Sequence, residues 1–379
     1  MKIRKKAFYI RDPVSGDLRL NGVVAKLIED ERFQRLRYVK QLGFSYLVFP
    51  GAHHTRFEHS LGTWSITNEI SKRLLIEENE ELCIAGLLHD VGHMPMSHES
   101  EGPIYAKTKM LHEDIGRKII TDTGMLDCLS SFGLSKKKVL NYFDGNSYGK
   151  IITGAIGSDR IDYLMRDAYY TGVAHGVTDY YRLRNVITYA MGEPAVFDNG
   201  IEAVESFLAA RYYMYSSVYF HHACLIANGM YKKALALALE SGSVDPYEFV
   251  YYDDTKALNA LSAIDASKQM INDLLNRKLF KRAYYYPNFK GSIKIPELCE
   301  AVEKAGLKES EYIADIIPFK AAENPINIVF KEDSSIRHFD ELSQIFKTLS
   351  MIQERRKIII VACKRKFVKR VSDAMKKIL

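Results

Sequence analysis

Apolar side chains recur three and four positions apart over most of the first 280 residues, a spacing that predicts amphipathic helices. Glycine and proline interrupt the pattern at intervals typical of short loops. Helices are expected over residues 23–42, 58–76, 80–90, 112–121, 126–132, 136–143, 151–170, 203–239 and, twice, within 254–279. Residues 8–20 differ, because two short strand-like runs flank Asp12-Pro13 and Ser15-Gly16 and predict a hairpin.

The pattern changes again after Tyr286-Pro287. Strand-like runs at 326–330 and 357–361 alternate there with helical patterns at 339–349 and 368–378. Earlier in the chain, residues 179–189 fit a short helix or an edge strand, and 196–201 fit a strand followed by a turn. The prediction is a mainly α fold: a multi-helix body at 1–285 with a short N-terminal hairpin, and a smaller α+β C-terminal lobe at 286–379.

The composition is that of an ordinary soluble globular protein, with 47% hydrophobic and 26% charged residues among 379. Its five cysteines are widely spaced and include no CxxC pair, which is typical of free thiols in a reducing compartment. No stretch approaches the roughly 18 apolar residues of a membrane span. The basic N-terminus lacks the apolar segment of a signal peptide. We expect a cytoplasmic protein with no membrane contact.

The net charge of +6 is concentrated at the C-terminus. Residues 354–379 contain ten Lys or Arg and two acids, a local charge of +8, so the remainder sums to −2. Two interpretations stay open: a solvated face of an amphipathic terminal helix, or a weak contact with nucleic acid or another polyanion.

The chemistry of the chain centres on the point where an apolar run, Leu82 to Leu88, ends in His89-Asp90. A carboxylate at the end of a buried helix is costly unless something pairs with it. A divalent metal is one such partner, because imidazole and carboxylate are both metal ligands. The alternative is a helix-capping Asp beside a surface His.

Other features favour the metal. Seven of the eleven histidines lie between His53 and His112, and His59 falls at the start of a predicted amphipathic helix. Further along, Asp159, Tyr163 and Asp167 occur at i, i+4 and i+8, so they share one polar face of a largely apolar helix. Such a face suggests a lined cavity.

The order His59, His89-Asp90, Asp159 resembles the H…HD…D signature of HD-domain metal-dependent phosphohydrolases. Further stretches resemble the branch that contains deoxynucleoside triphosphate triphosphohydrolases: FQRLRYVKQLG from Phe33, VFPGA from Val48, TRFEHSLG from Thr55, HDVGH from His89 and DRIDY from Asp159. The resemblance covers roughly residues 12–222. It implies that residues 1–285 form an HD phosphohydrolase domain, without the sterile-alpha-motif domain of the mammalian relative.

The resemblance implies four metal ligands: His59, His89, Asp90 and Asp159. Two imidazoles and two carboxylates suit Fe, Mn, Co, Zn or Ni better than an all-oxygen Mg site would, and Mg is expected only with the substrate phosphates. A cation held there activates water for attack on phosphorus and offsets the charge that develops.

Further roles are implied by the same resemblance. His112 is the expected catalytic acid or base, with Glu113 orienting its imidazole. His93, expected to be catalytic, and His98, expected to bind the substrate, match family positions near the scissile phosphates. Without the resemblance, two such histidines are more often surface residues or residues that support a ligand. Arg56, Arg160 and Tyr163 match contacts to the triphosphate. The alternative for Arg56 is a pair with Glu58 or with a ligand carboxylate.

The nucleoside side of the predicted site is rich in aromatic residues. Asp167 and Gln41 match family positions that contact the deoxyribose hydroxyl. The resemblance also implies that Tyr215, Tyr219 and His221 are candidates to stack on or hydrogen-bond to the base and sugar. Periodicity alone favours a core-facing stripe for these three.

The predicted function is that of a metal-dependent nucleotide phosphohydrolase, cleaving deoxynucleoside triphosphates to deoxynucleoside and tripolyphosphate. Two alternatives stay open. One keeps the metal site and changes the substrate to a nucleoside monophosphate or a phosphodiester. The other is a nucleotide- or nucleic-acid-binding regulator with a vestigial site, suggested by the basic C-terminus. The resemblance also implies a homodimer or homotetramer.

Overall fold

The computed structural model describes residues 8–20, 22–176, 179–318, 326–353 and 357–379, and it confirms the mainly α fold. The predicted N-terminal hairpin is present. Strands β1 (Phe8–Asp12) and β2 (Gly16–Leu20) pair antiparallel, with Phe8 opposite Leu20. The Asp12 carboxylate accepts the backbone N–H groups of Val14 and Ser15 and so fixes the turn.

The helices that follow make up the first half of the body. Their order along the chain is α1 (Gly22–Ile28), α2 (Glu31–Gln34), α3 (Arg56–Arg73), α4 (Asn79–Leu88), α5 (His98–Thr108), α6 (His112–Asp122), α7 (Lys136–Phe143), α8 (Lys150–Thr153) and α9 (Ser158–Thr171). α3 packs against both α4 and α9. Three segments that are distant in sequence therefore meet at one end of α3.

The second half of the body is also helical and is interrupted by a hairpin. Its elements are α10 (Tyr180–Val186), β3 (Ile187–Ala190), β4 (Glu193–Phe197), α11 (Ile201–Met214), α12 (His222–Glu240), α13 (Pro246–Phe249), α14 (Asp254–Ala263) and α15 (Asp265–Leu275). α12 packs against α5 and α15, with fully buried Tyr231 and Leu235 in the large core.

The C-terminal part alternates strands and helices. It contains β5 (Lys281–Phe289), α16 (Ile295–Lys304), β6 (Tyr312–Pro318), β7 (Asn327–Val329), β8 (Ile336–His338), α17 (Phe339–Leu342), α18 (Gln344–Gln353), β9 (Lys357–Cys363) and α19 (Val368–Ile378). One sheet has the order β5-β9-β6, and a second has the order β3-β4-β7-β8. β7 runs parallel to β4, so the second sheet joins the C-terminal part to the body. The boundary at residue 285 stays a prediction, and β5 spans it.

Three long predicted helices are broken in the structure, each for a local reason. The segment 23–42 divides because Asp30 caps a new helix by accepting the N–H of Arg32, and the chain then tightens into a 3₁₀ turn at Arg35–Tyr38. The segment 151–170 divides between α8 and α9 around Gly154 and Gly157. The segment 203–239 passes through a π-helical turn, Tyr215–Tyr219, before α12 begins.

Two other expectations differ from the structure. The turn after residue 197 leads into α11, and the hairpin turn is instead at Met191-Gly192, where both residues have positive φ. α5 had no prediction, because its first turn is polar and Pro103 lies within it. Residues 179–189 contain both expected alternatives, α10 and then β3.

Among the described residues, no helix combines the length and the apolar character needed to span a membrane.

Candidate active site

The first turn of α3 brings Arg56 and His59 into the interior. Thr55 caps the helix, and the Glu58 carboxylate accepts the Thr55 N–H at 2.9 Å, so Glu58 serves the cap and does not pair with Arg56. With the start of α3 fixed, Arg56 and His59 both face the core, and the His59 side chain is fully buried.

α4 delivers the second pair of groups. Every residue from Glu81 to Leu88 is buried, and the helix ends where His89 and Asp90 begin the turn. Gly92 allows that turn to pack closely on α6, since a Cβ there would lie 2.1 Å from the His112 carbonyl oxygen. The sequence therefore places an imidazole and a carboxylate at a rigid junction between two helices.

α9 contributes the remaining carboxylate, and the four predicted ligands converge. The His59 Nε2 atom lies 3.1 Å from Asp159 Oδ1 and 3.5 Å from Asp90 Oδ2. The His89 Nε2 atom lies 3.2 Å from Asp90 Oδ1 and 3.7 Å from Asp159 Oδ1. We call these four residues the four-ligand cluster.

The hydrogen bonds of the two imidazoles show that the cluster fits a cation. His89 donates from Nδ1 to the Gly86 carbonyl at 2.8 Å, and His59 contacts Asp162 through Nδ1 at 2.8 Å. A neutral imidazole that donates from Nδ1 directs the Nε2 lone pair at the carboxylates. The His89 Nε2 atom is buried and makes no hydrogen bond with any described residue. A positive charge between these atoms would satisfy both imidazoles and both carboxylates.

The electrostatics point the same way. Burial alone lowers the pKa of His59, but the carboxylates of Asp159, Asp162 and Asp90 raise it to about 10. Burial also opposes ionisation of Asp90, yet Arg56, His89 and His93 hold its pKa well below the usual range. The carboxylates thus favour a proton on His59, and a divalent cation can take the place of that proton.

A buried ionic chain supports the cluster from behind. Asp162 accepts Arg166 Nε at 2.8 Å, and Arg166 NH1 reaches Asp12 Oδ2 at 2.8 Å on the N-terminal hairpin. Arg166 is fully buried. Gly62 makes room for this chain, because a Cβ there would lie 1.8 Å from Asp162 Oδ1. The hairpin therefore helps to fix the ring orientation of His59.

A second group of side chains lies next to the first, and we call it the histidine–glutamate cluster: His93, His98, Glu101 and His112. The rings of His93 and His112 stack with centroids 4.0 Å apart, and His93 Nε2 lies 3.2 Å from Asp90 Oδ1. His98 Nδ1 lies 3.0 Å from Glu101 Oε2, and its side chain is 60% exposed. The ligand atoms of all four lie within 4.8 Å of one another.

Glu101, not Glu113, is the closer partner of His112. Glu101 Oε1 is hydrogen-bonded to His112 Nδ1, whereas Glu113 Oε2 lies 3.3 Å from the same nitrogen on a side chain that is 63% exposed. Glu101 is thus a partner that the sequence did not indicate, and an orienting role for Glu113 stays a prediction. Burial alone lowers the pKa of His112, but Glu101 raises it overall. Burial alone raises the pKa of Glu101, but His112 and His98 lower it overall. Burial, with Arg56 and His112, lowers the pKa of His93.

Arg56 is paired with the carboxylate of a predicted metal ligand, Asp90, which was one of the alternatives for this arginine. Its NH1 group donates to Asp90 Oδ2 at 2.7 Å and its Nε to Ser97 Oγ at 2.9 Å. Arg160 follows Asp159 on α9 and is half-buried. Tyr163 lies one turn further on, and burial raises its pKa, with Tyr215 adding to the effect.

The predicted sugar-binding residues form a third group at the other end of α9. Asp167 is buried and accepts the Tyr219 hydroxyl at 2.6 Å, and its other oxygen lies 2.8 Å from His54 Nε2. Asp159 and Asp167 are separated by two helical turns, about 12 Å along α9. Tyr219 meets Tyr215 edge-on, with centroids 5.0 Å apart.

Gln41 and His221 lie at the margin of this group. The Gln41 backbone N–H donates to the His54 carbonyl at 3.1 Å, and its buried Oε1 has no partner among the described residues. His221 caps α12, because its Nδ1 accepts the Ala223 N–H at 3.3 Å, and its ring meets Phe49 edge-on. Its role at the cap is structural, and contact with a ligand stays a prediction.

Several supporting residues were missed by the sequence analysis. Asp162 and Arg166 are spaced i, i+4 on one helix, a signal of an ion pair that was available in the sequence. Glu101 lies in a segment without a helix prediction, and the sequence assigns no role to His54. Nothing in the sequence connects Arg166 with Asp12, which lies 154 positions away.

Comparisons with known proteins agree with this geometry. The HD domain family matches residues 56–155, and the HD associated region matches residues 178–379. An uncharacterized protein of Methanocaldococcus jannaschii, MJ1154, is 34% identical over 91% of this chain and 77% of its own length. The solved structure of a phosphohydrolase from Bacteroides thetaiotaomicron, BT4208, is 25% identical, with a TM-score of 0.79 over 94% of this chain and all of its own.

A relative with a named activity matches a smaller part of this chain. The human deoxynucleoside triphosphate triphosphohydrolase SAMHD1 is 30% identical over 217 residues, which are 46% of this chain and 34% of the human protein.

Proposed function

The chain belongs to the HD-domain phosphohydrolase superfamily, in its dNTPase-like branch, and we propose that it hydrolyses deoxynucleoside triphosphates to deoxynucleoside and tripolyphosphate. The coarser activity, metal-dependent nucleotide hydrolysis, comes with the family. The observation that carries the proposal is the convergence of two imidazole nitrogens on the Asp90 and Asp159 carboxylates, with no hydrogen bond to His89 Nε2 from any described residue.

His59, His89 and Asp90 lie close enough to share the divalent metal that the HD domain implies, and Asp159, 3.1 Å from His59 Nε2, would be its fourth ligand. The mixed nitrogen and oxygen set favours Fe, Mn, Co, Zn or Ni, with Mg accompanying the substrate phosphates. When bound, the metal supplies Lewis acidity that makes water a better nucleophile and offsets charge on the phosphates. Asp162 orients His59, and the Gly86 carbonyl orients His89, so both present Nε2.

The chain's own groups would handle the phosphates and the protons. Arg160, Tyr163 and the exposed part of the His98 ring contact the triphosphate, and Arg56 keeps Asp90 ionised and oriented. His112 transfers a proton to or from the reacting oxygens, with His93 stacked on it and Glu101 holding its Nδ1. Glu113 Oε2, 3.3 Å from the same nitrogen, is a second partner that helps to orient the ring.

The group around Asp167 supports a deoxynucleoside at the far end of the site. The Asp167 carboxylate is held on both sides by Tyr219 and His54, so it is in a fixed position to accept a sugar hydroxyl. Gln41 offers a buried carbonyl oxygen, and Tyr215 and His221 offer aromatic surface for the base. We propose a separation of about 12 Å between the phosphate and sugar contacts.

Two partner proposals accompany the activity. The first is a homodimer or homotetramer, which light scattering on the purified protein would detect. The second is a weak nucleic-acid contact at the C-terminus, because α19 and the turn before it expose Arg365, Lys366, Lys369, Arg370, Lys376 and Lys377. Of the basic residues in 354–379, Arg355 and Arg356 lie outside the described residues. Binding that weakens steeply with salt would support the contact.

Product identification tests the function. The purified protein, with its metal content measured, is incubated with the common deoxynucleotides and ribonucleotides, with nucleoside monophosphates and with short phosphodiesters, and the products are separated. Tripolyphosphate and deoxynucleoside are expected from the triphosphates. Orthophosphate or a 5′-monophosphate as the phosphorus product would instead favour a monophosphatase or phosphodiesterase. Nucleotide binding without turnover in any divalent metal would favour a regulator.

A further inference from the structure

The turn that follows His89-Asp90 has an unusual backbone. Met96 and Ser97 are consecutive residues with positive φ, 56° and 53°, and neither is a glycine. Side chains with a Cβ disfavour this region, so such a turn persists only where surrounding contacts impose it. The turn is buried, with Met96 and Ser97 each 1% exposed.

The strained turn is connected to both clusters of the active site. Ser97 Oγ accepts Arg56 Nε at 2.9 Å and donates to the Lys40 carbonyl at 2.7 Å. Arg56 in turn binds Asp90. His98 follows directly and begins α5, which carries Glu101 one turn later. The position of Ser97 therefore sets where Arg56, His98 and Glu101 lie.

A carboxylate from a distant helix holds this turn. Asp254, the first residue of α14, is 3% exposed and accepts the Met96 N–H at 2.7 Å and the Lys40 N–H at 2.9 Å. Burial raises the pKa of Asp254 to about 6, and the two backbone N–H groups oppose that rise. Near pH 7 the group is mainly ionised and makes two charge-assisted hydrogen bonds to backbone.

An arginine holds the same turn from a second direction. Arg35 NH2 donates to the carbonyl oxygens of Val91 and His93 at 2.9 and 2.8 Å, and Arg35 NH1 donates to the Tyr252 carbonyl at 2.8 Å. Tyr252 lies two residues before Asp254. The segment around Asp254 thus contacts the catalytic turn twice, through Asp254 itself and through Arg35.

We propose that Asp254 is a positioning residue: by binding the Met96 and Lys40 amides, together with Arg35 on Val91 and His93, it fixes the turn that places Arg56, His98 and Glu101 in the active site. The proposal rests on the proposed function for its kinetic test only. Asp254 lies outside the matched HD domain, in the associated region, and this gives that region a direct role in the geometry of the site.

The first test compares Asp254→Asn with Asp253→Asn. The asparagine amide would place N–H groups against one of the two backbone donors, so one hydrogen bond is lost. Asp253 is the adjacent acid, whose carboxylate caps α14 through the Lys256 N–H at 2.8 Å, and its substitution removes the same charge while leaving the turn alone. We expect D254N to lower kcat per bound metal about 10- to 100-fold. Metal content should change less than twofold, KM should rise by a smaller factor than kcat falls, and D253N should match the wild type.

A readout independent of activity is hydrogen exchange. In D254N, exchange of the Met96 and Lys40 amides should accelerate at least tenfold relative to D253N, with protection of α3 and α9 unchanged. If the protein proves to have no phosphohydrolase activity, this measurement still tests the inference, so its failure and the failure of the proposed function are distinguishable.

Arg35→Lys provides a second variant should D254N fold poorly. Lysine keeps the charge but cannot span three carbonyl oxygens, so R35K should also lower kcat per bound metal, and the combination with D254N should be less than additive. The proposal is overturned if kcat per bound metal and Met96 exchange in D254N stay within twofold of D253N. If D254N does not fold, unchanged kcat and unchanged Met96 exchange in R35K overturn it.

Discussion

The four-ligand cluster and the histidine–glutamate cluster lie side by side, yet their charges require different partners. In the first, the side chains of His59 and Asp90 are at most 4% exposed, and Asp90, Asp159 and the adjacent Asp162 surround two imidazoles. In the second, three imidazoles surround one carboxylate, and His98 is 60% exposed. The first cluster is the more deeply buried, although its Asp159 side chain is 28% exposed, and Arg56 and Arg166 pair with two of its carboxylates. The second cluster has its one carboxylate hydrogen-bonded to His112 and His98.

The difference suits the two clusters to the different tasks that the proposed function gives them. Imidazole lone pairs that face carboxylates favour a bound cation, whereas hydrogen-bonded imidazoles beside an exposed histidine can gain and lose protons. Asp90 links them, because it contacts His59 and His89 on one side and His93 on the other.

The largest expected effect is that of Asp90→Ala, which removes the group common to both clusters. Metal content should fall to background, and activity should fall by more than the roughly 10²–10³-fold typical of losing one electrostatic contact. Elemental analysis and a nucleotide assay measure both. The control is Asp265→Ala, since that side chain is fully exposed. If D90A kept its metal and its activity, the assignment of the site would be wrong.

His112→Ala should separate the function of the histidine–glutamate cluster from that of the four-ligand cluster. Turnover should fall about 10²- to 10⁴-fold, as for loss of a general acid or base, while the metal content stays at the wild-type value. If the metal were lost as well, the two clusters would act as one metal site, and the proposed division between them would be wrong.

Asp162→Asn should weaken the metal site without destroying it. The loss of its charge beside His59 should lower metal affinity about 10- to 100-fold, and excess metal should restore turnover. Metal titration of the stripped protein measures the shift. An unchanged affinity would show that the buried chain from Asp162 to Asp12 serves folding only.

Tyr219→Phe tests the sugar end of α9, outside both clusters. Losing the hydroxyl that donates to Asp167 should cost about 0.5–1.5 kcal/mol, roughly a 2- to 10-fold fall in kcat/KM for deoxynucleotides. Tyr213→Phe, on an exposed side chain, is the matched control. Equal kinetics for the two variants would argue against Asp167 as the sugar contact.

The smallest effect concerns the pH dependence of stability. The pKa of Glu101 is lowered on folding, so its stabilisation is present above about 4.5 and is lost as the pH falls through the folded value. The pKa of His112 is raised, so its stabilisation is present below about 6.5 and is lost as the pH rises through the folded value. Glu101→Gln should therefore destabilise by on the order of 1 kcal/mol between pH 4.5 and 6.5, and by less at pH 9. Denaturation of E101Q and of Glu113→Gln at pH 5.5 and 9 checks this, since E113Q should differ little from the wild type.

Local patterns were sufficient for much of the fold and for the family. The apolar periodicity of α3, α4 and α7 and the turn residues of the N-terminal hairpin specify those elements within a few residues. The order of His59, His89-Asp90 and Asp159 identified the family, because metal ligands at helix ends leave a motif that survives in the sequence. The breaks in predicted helices were missed, since a cap at Asp30 or a π turn at Tyr215–Tyr219 changes the backbone without changing the apolar pattern.

By itself the sequence determined which residues are candidates for the chemistry, because residue type, helical spacing and the order of the motif limit what each side chain can bind. Only the tertiary structure decided their partners: Glu101 as the nearer carboxylate of His112, Asp90 as the partner of Arg56, and Asp254 beneath the turn at Met96. Those contacts join residues that lie up to 158 positions apart, and they depend on how helices pack. Packing brings together groups whose separation in the chain carries no local signal.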